Sequence, residues 1–184
     1  MKKSIILFLI SILTFNSFAQ DKPVVAPEKN VIKVNSLALI LATGSVFYER
    51  QISDLTSAQL GVGYFNYKLG DTKFNGLFLT PEFRIYVKKN AIDGFYVSPY
   101  LRYQDYNFEN KGDTETNKGK LTTFGGGIAV GRQWIFTKGF VIDFFFGGHY
   151  SGSSIKTTSG TEPTDINKLE GFRTRVGLCL GFAF

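Results

Sequence analysis

The chain has one histidine, His149, and two residues later comes Ser151; Glu162 follows further downstream. A serine hydroxyl becomes a nucleophile when a neighbouring base takes its proton and an acid orients that base, so these residue types suit hydrolysis. The spacing is generic. A second stretch, "GGGIAVGR" at 125–132, invites a phosphate-loop reading. It lacks the Lys-Ser/Thr ending and lies in alternating sequence rather than before a helix, which excludes that role. No cluster of His, Cys or carboxylates has metal-ligand spacing, and no cofactor motif is present. The segment "ENKGDTETNKGK" mixes charges of both signs and reads as a solvated tip, without the ligand spacing a calcium loop needs. What remains is a set of polar residues embedded among glycines and apolar residues: Glu49, Glu82, Arg84, Arg102, Gln104, Gln133, Asp143, Arg173 and Arg175.

The elements that must position them are strands. From Asn30 onward no window holds a helical i, i+3, i+4, i+7 apolar pattern, whereas period-two alternation recurs between turn-rich pieces. It predicts eight strands, at 31–41, 45–52, 56–68, 74–88, 94–108, 120–136, 140–151 and 171–184. In the fourth, Leu77, Leu79, Phe83, Ile85 and Val87 oppose Thr80, Glu82, Arg84 and Tyr86. In the seventh, Phe140, Ile142, Phe144, Phe146 and Tyr150 oppose Asp143, Phe145, Gly147 and His149. The polar face is small and glycine-rich, unlike a water-facing surface, where Lys and Glu would dominate. Large aromatics sit near strand ends, where membrane girdles lie. The expectation is an all-β, eight-stranded antiparallel up-and-down transmembrane barrel, apolar outside and polar inside. Strands of about ten residues, tilted by about 45°, cross the hydrocarbon layer, and closure satisfies every backbone group. The connections fit, with short turns on one side and long polar loops, above all 152–170, on the other.

Composition agrees: 43% hydrophobic residues, 20 glycines and 28 Phe and Tyr together point to strands rather than helices or disorder. The opening "MKKSIILFLISILTFNSFAQ" has a basic start, an apolar run too short to span as a helix, and small residues Ser17 and Ala19. It predicts a signal peptide over 1–19, then a flexible periplasmic leader over 20–30 and the barrel over 31–184. Removing Lys2 and Lys3 lowers the net charge from +6 to +4, too mild to argue for nucleic acid. Cys179 is the lone cysteine, so an internal disulfide is excluded.

An eight-stranded lumen has room for side chains and little else. Charges inside it must pair, which predicts a polar plug in which Glu82 lies near Tyr100 and diagonal to Arg102, with Asp143 opposite Gln133. Glu49 and Arg50 are adjacent and cannot both face inward; Glu49 is placed inside and Arg50 at the rim. Parity places His149 on the inner face too.

The segments "TPEFRIYV", "GFYVSPYLRYQDY", "TFGGGIAVGRQWIF" and "RVGLCLGFAF" resemble a family of small outer-membrane β-barrel proteins from Bacteroidetes. The architecture is also similar to outer-membrane proteins of the A and X types. The resemblance implies a barrel and no assigned activity. The closing aromatics Phe182 and Phe184 resemble the C-terminal signal read by the outer-membrane assembly machinery. His149, Ser151 and Glu162 resemble the His/Ser/Glu set of lipid A deacylases, whose site must face lipid. The reading is therefore a monomeric outer-membrane scaffold of a Gram-negative bacterium, its loops contacting lipopolysaccharide, a surface or a protein partner. A narrow pore and a lipid-modifying enzyme are the alternatives.

Overall fold

The computed structural model describes residues 28–40, 42–69, 72–88, 91–111, 116–159 and 171–184. The expected signal segment, most of the leader, and Glu162 with its connection lie outside the described residues.

Eight strands follow in order: β1 Asn30–Asn35, β2 Thr43–Gln51, β3 Thr56–Leu69, β4 Thr72–Tyr86, β5 Gly94–Lys111, β6 Thr116–Ile135, β7 Phe140–Ser159 and β8 Gly171–Ala183. Each pairs antiparallel with the next, and β1 pairs with β8, so the sheet closes into a barrel. The seam is zipped to its end: Phe184 N–H donates to Asn30 O at 2.9 Å and Asn30 N–H to Phe184 O at 3.0 Å.

The alternation expected from the sequence sets the two faces. Along β7, Val141, Asp143, Phe145, His149 and Ser151 are buried in the lumen, while Phe144, Phe146 and Tyr150 are exposed outside. The whole outer wall follows suit: Leu77, Ile128 and Phe146 are 59%, 60% and 55% exposed. An apolar belt this continuous far exceeds the few hundred Å² that a water-soluble monomer leaves bare. From Phe140 to Tyr150 the belt spans about ten residues; at ~3.3 Å each and a ~40° tilt this is ~25 Å, the height of a membrane-barrel band. Its lower edge carries a string of rings, Phe136–Phe140 at 6.0 Å and Phe140–Phe182 at 5.9 Å between centroids. Phe182 and Phe184 are both exposed on this rim.

Two expectations are corrected. The first strand does not run over 31–41. It stops at Asn35 and turns into a single helical turn, α1 (Ser36–Ile40), so a helix does occur after Asn30. The run "LALI" is apolar at both parities and has no face to bury as a strand. Asn35 Oδ1 accepts the Ala38 N–H at 3.1 Å, a side-chain cap that starts the turn. Strands β5, β6 and β7 also extend beyond the expected ends, because their polar outer segments continue the ladder above the belt.

The short-turn end is closed. Between β6 and β7 the chain reverses through a 3-10 turn, Thr137–Gly139. Gly139 has φ +80°, and a Cβ there would lie 2.6 Å from Ala183 O, so glycine is required. The β4–β5 connection folds beneath the barrel: Ala91 N–H donates to Asp54 O at 2.9 Å, and Ile92 packs on Val31, Val141 and Ala183. Ile92 does so at φ +69°, a conformation that β-branched residues rarely adopt.

Candidate functional site

Narrow lumens cannot seat two large side chains abreast, and the register solves this with glycine. Phe47 lies opposite Gly61, Phe78 opposite Gly63, Tyr96 opposite Gly131, and Phe145 between Gly131 and Gly177. Much of the chain's glycine thus lets inward rings and guanidiniums lie across the lumen.

Above the Ile92 cap lies a buried charge network with a member from every strand. Lys33 Nζ donates to Glu49 Oε2 and Asp143 Oδ2, both at 2.7 Å, and to Gln133 Oε1. Arg84 Nη1 reaches Asp143 Oδ2 at 3.0 Å and Glu49 Oε2 at 3.2 Å, and its Nε donates to Glu82 Oε1 at 2.8 Å. Arg175 Nη1 crosses from β8 to Glu82 Oε2 at 2.8 Å. Hydroxyls complete the carboxylates: Ser57 and Tyr86 on Glu49 Oε1 at 2.6 and 2.7 Å, and Tyr96 on Asp143 Oδ1 at 2.7 Å. Gln133 Nε2 donates to Ile92 O at 2.7 Å, tying the network to the cap. Three cations thus face three carboxylates, with side chains at most 7% exposed. Such burial is tolerable because every charge meets an opposite one, although Arg84 Nη2 and Arg175 Nη2 find no hydrogen-bond partner among the described residues.

The network is floored off from the outer half by Phe47 and Phe145, edge to face at 6.5 Å. Beyond them opens a cup of about 600 Å³ whose polar wall is built by Arg102, Gln104, His149, Arg173 and Arg175. Arg175 belongs to both compartments. Its guanidinium lies 4.5 Å over the Tyr100 and Phe145 rings, and that of Arg102 lies 4.2 Å over Phe78.

Of the residues singled out in the sequence, Glu49, Glu82, Arg84, Gln133, Asp143 and Arg175 meet in the network, and Arg102, Gln104 and Arg173 line the cup. Glu49 is inside and Arg50 exposed. Glu82 lies opposite Tyr100 and Gln133 opposite Asp143. Arg102 does not pair with Glu82. It donates to Thr80 Oγ1 at 3.3 Å instead, because Arg84 and Arg175 already occupy both Glu82 oxygens. Sequence reasoning missed Lys33, Tyr86 and Tyr96 as members of the network. The signal for Lys33 was present: Val31, Lys33 and Asn35 alternate with the outward Ile32 and Val34.

His149 and Ser151 both point into the lumen, away from the apolar belt. His149 Nδ1 is 3.2 Å from Tyr100 OH, and among the described residues no carboxylate hydrogen-bonds the ring. This is not the lipid-facing arrangement a deacylase would need. Among the described residues no three His, Cys, Asp or Glu side chains are grouped to hold a metal ion.

An inside-out barrel with a filled lower lumen is the architecture of outer-membrane β-barrels. The chain belongs to the family described as "Protein of unknown function (DUF3575)", which matches residues 5–182. No curated protein matches its sequence. Among solved structures it is similar to Acinetobacter baumannii CarO, with a TM-score of 0.51 at 11% identity over 89% of this chain and 100% of that one. The N-terminal β-barrel domain of Pseudomonas aeruginosa OprF gives 0.50 at 15% identity, over 86% and 98%. A major outer membrane protein from Thermus thermophilus gives 0.50 at 14% identity, over 87% and 100%. At these identities the likeness is one of fold.

Proposed function

We propose that this protein is a non-enzymatic barrel of the Gram-negative outer membrane, sealed at its periplasmic end, that works through what its outward end contacts. The observation that carries the reading is the charge-balanced network lying across the lumen beneath an aromatic floor. Paired charges from all eight strands across one level of the lumen support a reading in which solute does not pass and the barrel is held stiff. The apolar belt and the signal-like opening of the chain support export and insertion. The outward end would meet lipopolysaccharide, a surface or a protein partner, and the barrel works as a monomer. On this reading Phe182 and Phe184, both exposed, serve recognition during assembly.

Cysteine labelling on cells tests this. Ser154 is exposed near the outer end of β7, and Ser53 is exposed in the β2–β3 turn. Cys179 is 1% exposed and gives little background. The Ser154→Cys protein reacts with a membrane-impermeant maleimide on intact cells, and the Ser53→Cys protein only after permeabilisation. Equal labelling of the two, or recovery of the chain in the soluble fraction, contradicts the reading.

A further inference from the structure

Arg132 breaks the pattern of the outer wall. It lies on the outward face of β6, between Val130 and Trp134 along the strand, opposite Phe95 of β5 and Phe144 of β7. Every one of these neighbours is apolar or aromatic, yet Arg132 brings a positive charge into the lipid-facing belt, where an unpaired charge is costly. Among the described residues no carboxylate meets it. Its guanidinium instead touches two rings, at 4.5 Å from the Phe95 centroid and 5.0 Å from that of Trp134. Nε is buried against them and has no hydrogen-bond partner among the described residues. The terminal nitrogens are not buried with it, and among the described residues nothing accepts from them.

Depth narrows the choice of partner. On the same strand Phe136 lies four residues below Arg132 and, with Phe140 and Phe182, marks the lower rim. At ~3.3 Å per residue and a ~40° tilt, Arg132 starts ~10 Å above that rim. The stack on Trp134, two residues lower, turns its guanidinium back toward the rim. A cation whose stem lies on apolar surface while its head bends to the interface is placed at the level of lipid headgroups. There the membrane offers the phosphodiester of a phospholipid, whose two non-bridging oxygens match the guanidinium fork. Above it on the wall, Val97 and Val130 are both exposed and directly opposite each other, a surface for acyl chains.

We infer that Phe95, Arg132 and Trp134 form a binding site for one phospholipid in the leaflet at the closed end of the barrel. The phosphodiester accepts from Nη1 and Nη2 of Arg132, and the acyl chains run up the wall over Val97 and Val130. That this leaflet is the periplasmic one rests on the outer-membrane reading. Labelling is read on cells and lipid contact on purified protein, so either can fail without the other.

Trp134 is the only tryptophan in the chain, so its fluorescence reports on this site alone. The membrane-purified chain, in non-ionic detergent, is titrated with phosphatidylglycerol brominated on its acyl chains and, separately, with diacylglycerol brominated in the same way. Bromine quenches on contact, and the two lipids differ only in the phosphate-bearing head. The phospholipid should reach half-quenching at about a tenth of the diacylglycerol concentration or less, as a charge-assisted contact implies. Arg132→Gln should abolish that preference by weakening the phospholipid, while diacylglycerol, which needs only the rings and the wall, quenches as before. Arg50→Gln, at an exposed arginine on the outward face of β2, should keep the preference. The proposal is overturned if the two lipids quench the parent alike, if Arg132→Gln retains the preference, or if Arg50→Gln loses it to the same extent, since the attraction would then be one of overall charge.

Discussion

Among single residues, Lys33 ties the lower network together. One ammonium donates to three acceptors on three other strands, two of them carboxylates. Lys33→Met should cost about 3–5 kcal/mol, because it leaves Glu49 and Asp143 short of positive charge inside the lumen. The urea-unfolding midpoint in lipid vesicles, followed through Trp134 fluorescence, measures this. Arg50→Met, on a neighbouring strand but exposed, should lie within about 0.5 kcal/mol of the parent. Equal midpoints for the two variants would mean that the network does not hold the barrel. Glycine gives a second residue-scale prediction. Gly131 lies opposite both Tyr96 and Phe145, so Gly131→Val should cost about 1–3 kcal/mol through overpacking. At Gly152 a Cβ would meet nothing within 4 Å, and Gly152→Val should be close to neutral by the same measurement. The inward charges were legible in the sequence because they alternate with outward apolar residues. Their pairing was not. Arg175 reaches Glu82 across the lumen from β8, and a contact between such distant strands depends on the stagger of the closed barrel, which no local pattern encodes.

At the scale of elements, the strands were legible and their exceptions were not. Alternation marks a strand with two different faces; it has nothing to say about "LALI", which is apolar at every position and forms α1 instead. Nor does it reveal what a turn does once the barrel closes. The β4–β5 connection reads as a polar hairpin, "KNAID", yet its two apolar residues are buried, and Ile92 swings under the barrel to become the cap. Ile92 holds that position at φ +69°. Truncating its side chain loses buried contacts whichever small residue replaces it, but only glycine is relaxed at that φ. Ile92→Gly should therefore be more stable than Ile92→Ala, by about 1 kcal/mol, the reverse of the order expected in ordinary backbone. An Ala variant at least as stable as the Gly variant would show that the left-handed backbone is not kept in solution.

For the whole molecule, the division of the lumen matters most. The lower half is filled, neutral and tied to all eight strands; the upper half holds a cup lined by Arg102, Gln104 and His149. The overall architecture was the most legible feature of the chain, since strand count, parity and loop alternation all pointed to the same closed barrel. The cup was not legible: its residues Arg102, Gln104 and Arg173 were read from the sequence as part of the plug. The central claim is that the lower network seals the barrel, and single-channel recording on the inserted protein in a planar bilayer tests it most directly. The parent chain should be silent, with insertion verified independently. Stable, reproducible conductance steps from the parent would contradict it, because they would require a continuous wet path past Lys33, Arg84 and Asp143.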